Sequence, residues 1–236
     1  MLPRTVGAKT MEAKRGRVIA IDGPAGAGKS TLARELARRL AFPYINTGAM
    51  YRALAHRGLQ RGVDPDDPEG LARMAAGIRF SIGPGPHGRE LLIDGQPPSA
   101  SLNAPEVEAL VSRVARHDVV RALMRREQRH LGVEGCVMEG RDIGTVVFTD
   151  ADLKIFLSAQ PIVRARRRER ERGGGEEVAD AVARRDALDA RTNPFVPASD
   201  AHVLDTTALS REEVLAEAVR LVEAAGLGSA RRGTIR

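Results

Sequence analysis

Apolar positions fall into two rhythms that alternate along the chain. Apolar runs at residues 18–21, 136–138 and 153–157, the last interrupted by Lys154, have the length of strands buried on both faces. The first of them ends at Asp22. Shorter strands are predicted at 43–46 and 202–205. Between the runs the spacing changes to that of a helix. Leu32, Ala33, Leu36, Ala37 and Leu40 form one stripe and predict a helix over 30–40. The same reasoning gives helices over 48–58, within 65–76, over 104–131 with a break near His117-Asp118, over 161–172, over 176–190 and over 211–225.

One region departs from this alternation. Ile78, Phe80, Ile82, Leu91 and Ile93 alternate with polar residues and are interrupted by GPGPHG and DGQPP. That pattern is an antiparallel hairpin, read as an insertion on an α/β body. Strands alternating with helices imply a parallel sheet with helices on both faces. Ligands of such sheets bind at the carboxyl ends of the strands. The loops after residues 21, 46, 138 and 157 are therefore the places to look for chemistry.

Composition narrows the picture. The chain has 236 residues and is 42% hydrophobic, enough for an ordinary core. It has no run of about 18 apolar residues, so no membrane-spanning helix is expected. Residues 1–16 are basic and polar, without the apolar centre of a signal peptide, and read as a flexible tail, as do residues 227–236. The single cysteine, Cys136, leaves no disulfide framework and suits a cytoplasmic setting. Lys and Arg number 37 against 31 Asp and Glu, a net charge of +6. Most of the cations are Arg, whose forked guanidinium grips phosphate in two places. Aromatics are 3% of the chain, with no Trp, so a base-stacking platform for single-stranded nucleic acid is poorly supplied. None of the five His residues joins a constellation, and no Cys/His spacing suits zinc.

Gly23, Pro24, Ala25, Gly26, Ala27, Gly28, Lys29 and Ser30 satisfy the phosphate-loop pattern G-x-x-x-x-G-K-[ST] in full, and Thr31 continues it. An apolar strand precedes and an amphipathic helix follows, as that pattern requires. Successive backbone N–H groups in such a loop form an anion nest, and the helix adds its positive end. Lys29 supplies a point charge to the phosphates, and Ser30 a hydroxyl for Mg²⁺. The absence of Asn-Lys-x-Asp gives no support to guanine recognition.

Four further clusters follow: NTGAMYR at 46–52, Ser112 with Arg121, EGRDIGT at 139–145, and RDALDAR at 185–191. The series GPAGAGKST, TGAMYRA, EGRDIGTVVF, RDALDA and DAHVLDTT resembles the bacterial cytidylate kinases over about residues 17–225. The resemblance implies an α/β phosphate-loop kinase: a parallel sheet flanked by helices, an antiparallel insertion in the region that binds the nucleoside monophosphate, and a helical lid. One domain would then span 17–226. Its core comprises 17–47, 132–160 and 200–226, its monophosphate region 48–131, and its lid about 161–185. The implied reaction is transfer of phosphate from ATP, with Mg²⁺, to CMP or dCMP. On that reading Tyr51, Arg52 and Arg141 surround the acceptor phosphate. Thr47, Arg121 and Asp142 read cytosine, with Arg191 a further contact. Ser112, Arg185 and Asp189 hold the ribose. The chain departs from the family with Asn46 where Asp is usual, with Glu139 where a shorter acid or small residue is common, and with a loop about two residues short before Pro194.

Plainer readings of the same residues stay open from the sequence. Thr47 also suits a helix cap, Arg141 and Asp142 an ion pair, and Arg185 and Asp189 an i,i+4 helix pair. Six Arg lie between 164 and 172. Most suit a solvated helix face, while Arg164 and Arg168 are expected to neutralise the transferred phosphoryl group, with Arg167 behind them. Glu139 is a candidate to reach Mg²⁺ through water. The chain is expected to act as a cytoplasmic monomer on small nucleotides, without a specific nucleic-acid or membrane partner. Two rival functions remain: a phosphate-loop kinase for another small substrate such as UMP, and an ATP-switched nucleic-acid-binding regulator.

Overall fold

Among the residues described by the computed structural model, 16–86, 88–172 and 195–228, seven strands form one sheet. They are β1 (Val18–Asp22), β2 (Tyr44–Asn46), β3 (Phe80–Gly85), β4 (Gly88–Ile93), β5 (Cys136–Glu139), β6 (Leu153–Ser158) and β7 (His202–Asp205). Their order across the sheet is β3-β4-β2-β5-β1-β6-β7. Every neighbouring pair is parallel except β3 and β4. The expectations for the tails at 1–15 and 229–236, for His87, for the glycine run at 173–175 and for the helix at 176–190 lie outside the described residues.

β1 lies inside the sheet between β5 and β6, and all five of its residues are buried. Val18 and Ala20 enter one apolar cluster, and Ile19 and Ile21 the other. β5 divides likewise, Cys136 and Met138 to one side and Val137 to the other. A strand covered on both faces has no polar face to show, hence the unbroken apolar runs.

Seven helices among the described residues flank the sheet: α1 (Lys29–Leu40), α2 (Thr47–Arg61), α3 (Pro68–Ala75), α4 (Pro105–Ala115), α5 (Asp118–Gly132), α6 (Pro161–Arg172) and α7 (Arg211–Ala224). α1 buries the five stripe residues anticipated from its spacing. It packs beside α7, whose Val214, Ala218 and Val222 share its cluster. On the other face Met50 and Leu54 of α2 meet Val107, Val111 and Val114 of α4 and Val120 and Met124 of α5. The anticipated break before Asp118 separates α4 from α5.

The hairpin at 80–93 continues the sheet. β4 pairs in parallel with β2 at Tyr44 and Glu90, and Phe80 and Leu91 join the same core as α2. Two features have no counterpart in the sequence reading. A 3₁₀ turn runs over Ala100–Asn103, and a wide π-type turn over Ile143–Val147 follows Asp142. No helix among the described residues is long and apolar enough to cross a membrane.

Candidate functional site

The loop after β1 bends sharply. Gly23, Gly26 and Gly28 have φ of 142°, 76° and 99°, a region closed to most side chains. At Gly23 a Cβ would stand 2.2 Å from the Leu157 carbonyl oxygen, so strand β6 also forbids any other residue there. The loop delivers the chain into the first turn of α1, where a helix is electropositive. Lys29 Nζ donates to the Pro24 carbonyl at 2.8 Å. Burial pushes the Lys29 pKa down to about 7, and the charge of Arg141 adds to the effect. Glu139 and Asp22 oppose that shift and Arg168 reinforces it. These cations crowd around a space that suits an anion.

Ser30 Oγ donates to Glu139 Oε2 at 2.9 Å, and the Tyr44 hydroxyl donates to Glu139 Oε1 at 2.5 Å. Burial raises the tyrosine pKa well above its usual value, with the Glu139 charge next in weight, so Tyr44 stays a donor. Asn46 Nδ2 reaches the same hydroxyl at 3.3 Å, and its Oδ1 accepts from Ala49 N to cap α2. The cap therefore falls to Asn46. Thr47 Oγ1, buried, instead donates to the Glu139 carbonyl at 2.8 Å. A hydroxyl and a carboxylate held together beside the phosphate loop are the oxygen donors Mg²⁺ favours, so Ser30 and Glu139 fit that ion.

After β5 the chain forms the Glu139–Thr145 segment. Asp142 Oδ2 accepts from Arg121 Nη2 at 3.2 Å and from Arg125 Nη2 at 3.4 Å, both on α5. Arg141 Nη1 donates to the Gly23 carbonyl at 3.3 Å, and its guanidinium lies 4.9 Å from the Phe195 ring centroid, a cation–π spacing. Asp22, 7% exposed, accepts from Ile143 N at 2.8 Å and Gly144 N at 2.7 Å. Burial nevertheless outweighs those two bonds and lifts its pKa to about 6.

These loops surround one cavity of about 520 Å³. Ala25, Gly26, Gly28, Lys29, Ser30 and Thr31 line one side. Thr47, Tyr51 and Arg52 of α2, Ser112 of α4, Arg121 of α5, Arg141 and Asp142 after β5, and Arg168 of α6 complete the lining. Burial holds the Tyr51 pKa up at about 12, and Arg52 faces Glu108 across 3.8 Å. A second cavity of about 950 Å³ adjoins the loop's other flank and shares Gly26, Gly28, Thr31 and Arg34 with the first. Ala27 lines that second space, with Arg166, Arg167 and Arg170 of α6 and Thr206 and Thr207 after β7.

Not every anticipated residue faces these spaces. Arg164 is 9% exposed and donates to the Ala159 carbonyl at 3.0 Å and the Ala25 carbonyl at 3.1 Å, tying α6 to the phosphate loop. Gly23 and Pro24 serve through backbone geometry. Arg167, which does line the second space, is bonded to Thr206 Oγ1 and to the Thr206 carbonyl. Arg185, Asp189 and Arg191 lie outside the described residues.

The sequence model of the cytidylate kinase family matches residues 19–224, from within β1 to the last residue of α7. The chain belongs to the cytidylate kinase family. The cytidylate kinase of Geobacillus kaustophilus is 45% identical over 218 residues, covering 89% of this chain and 97% of that protein. That of Corynebacterium efficiens is 42% identical over 219 residues, covering 89% and 95%. That of Lysinibacillus sphaericus is 43% identical over 219 residues, covering 89% and 98%.

Several residues of this cytidylate kinase family member carry the site without having stood out in the sequence. Arg34, one turn beyond Ser30 on α1, lies 5.4 Å from the Tyr44 ring centroid, and its buried Nε has no hydrogen-bond partner among the described residues. The i+4 spacing from Ser30 was the available signal. Arg125 also stands i+4 from Arg121. Asp22 was visible as a charge closing an apolar run. Nothing in the sequence marked Tyr44 or Phe195, since an aromatic near a strand reads as core.

Proposed function

We propose that this protein transfers the γ-phosphoryl group of ATP to CMP and dCMP, releasing ADP with CDP or dCDP. The observation that carries this is one cavity with the phosphate loop and Lys29 on one side, and Arg52, Arg141 and the Asp142–Arg121 pair on the other. Membership of the cytidylate kinase family supports the same reaction.

In this reading the nest of loop amides and Lys29 hold the donor triphosphate, and the donor nucleoside extends into the second cavity beside Arg166 and Arg170. Arg52 and Arg141, with Tyr51 beside them, hold the acceptor phosphate through forked hydrogen bonds. Asp142 accepts from the exocyclic amine of cytosine, a donor that uracil lacks. Arg121 and Arg125 hold that carboxylate in place, and Thr47 and Arg121 border the base. Ser112 contacts the ribose, with Arg185 and Asp189 as further contacts and Arg191 a second base contact. An acceptor phosphate oxygen is an anion at neutral pH and needs no strong general base. Catalysis then rests on positioning and on charge neutralisation by Lys29 and Arg168. Arg164 contributes by holding α6 against Ala25. Ser30 and Glu139 hold Mg²⁺, which when bound offsets charge on the phosphoryl oxygens.

ADP release measured with CMP, dCMP, UMP and AMP in turn tests this. CMP and dCMP are expected to be turned over fastest. Equal or faster turnover of UMP or AMP would contradict the cytosine assignment, and no turnover of any would contradict the kinase.

A further inference from the structure

The dipeptide Arg141-Asp142 is an arch pinned at both ends to a single strand. On its near side Gly140 N donates to the Ile21 carbonyl at 3.0 Å. On its far side Ile143 N and Gly144 N donate to the two carboxylate oxygens of Asp22. Both anchors are thus consecutive residues of β1, an interior strand held between β5 and β6. The first turn of any helical segment leaves N–H groups without partners in the turn itself. Here the turn is the wide one over Ile143–Val147, and Asp22 supplies the missing acceptors from another strand. Gly144 admits the approach: a Cβ there would stand 3.1 Å from the Lys154 side chain and 3.4 Å from Asp22 Oδ2.

A buried carboxylate is a costly way to terminate a strand. Asp22 lies at the joint between two loops. The next residue, Gly23, opens the phosphate loop, and its carbonyl accepts from Arg141. We infer that Asp22 is a positioning residue for the acceptor: its two oxygens clasp the amides of Ile143 and Gly144 and so fix Arg141 and Asp142 in the register that receives the nucleoside monophosphate. The inference rests on the kinase reading above. It assigns Asp22 no contact with either substrate.

Steady-state kinetics of the full chain and of its Asp22→Asn and Asp22→Ala variants test it. Asparagine keeps the size but turns one acceptor into an NH₂ that faces an amide N–H. Alanine removes the clasp and leaves room for water. Displacing a binding group by a fraction of an ångström to an ångström costs rate or affinity steeply. The KM for CMP is expected to rise about tenfold or more in Asp22→Asn, and less in Asp22→Ala. The KM for ATP is expected to stay within about twofold in both, with cooperative melting retained. A CMP KM close to that of the unaltered protein, or equal rises in both KM values, would overturn the clasp. If neither variant melts cooperatively, amide hydrogen exchange of the unaltered protein decides. The Ile143 and Gly144 amides should exchange as slowly as those within β1, and exchange at open-loop rates would overturn the proposal. An unaltered protein inert with CMP would instead remove the kinase reading, and the same exchange measurement would still judge the clasp.

Discussion

Lys29 shows how a single residue can be held in readiness at a cost to the empty fold. Its pKa is pushed down to about 7 by burial and by the neighbouring Arg141, against an ordinary value near 10.4. Between those values the unfolded chain binds more protons than the folded one, so stability rises with pH across that window. Below about pH 7 the penalty of the buried cation is fully present. Lys29→Met is therefore expected to stabilise the nucleotide-free protein by roughly 1–2 kcal/mol near pH 7, after allowance for water in the cavity. The gain should shrink towards pH 10, while turnover falls by about two orders of magnitude or more. Thermal melts at pH 7 and pH 10 beside the kinase assay check both halves; a less stable variant at pH 7 would contradict the electrostatic account. Lys29 and Ser30 were legible because their spacing from Gly23 and Gly28 is tied to one local geometry. The roles of Asp22 and Tyr44 were not, because each acts through a partner over 90 positions away, Ile143 and Glu139.

At the scale of the element, helices were read best where one face is buried. The α1 stripe and the break between α4 and α5 follow from local spacing alone. α7 begins with a reciprocal cap, Ser210 Oγ accepting from Glu213 N at 3.2 Å and Ser210 N donating to the Glu213 carboxylate at 2.8 Å. Ser210→Ala is expected to lower stability by about 1 kcal/mol, read from the chemical denaturation midpoint, with KM for CMP unchanged because the cap is remote from Arg52 and Arg141. The second cavity does include Ser210, so a change confined to KM for ATP would place the donor nucleoside beside it. The turn over Ile143–Val147 was illegible because the acceptors of its first two amides sit on β1. The hairpin was legible as a hairpin, but its attachment to β2 was not, since strand pairing between distant segments leaves no periodic trace.

Over the whole molecule, the sheet order brings the ends of β1, β2 and β5 side by side, and the loops that follow them carry the candidate site. That convergence follows from parallel crossovers, which explains why four loops could be named before their distances were known. The third dimension adds the partnership between cavities: one glycine loop serves as the wall of both, so a donor on one flank can present its terminal phosphate to an acceptor on the other. The most direct measurement is a crystal structure with CMP and a non-hydrolysable ATP analogue bound together. The account predicts the CMP phosphate within hydrogen-bonding distance of the Arg52 and Arg141 guanidinium groups, facing the γ-phosphate beside Lys29, with the cytosine amine on Asp142. CMP bound outside the 520 Å³ cavity, or with its phosphate turned away from those two arginines, would contradict it.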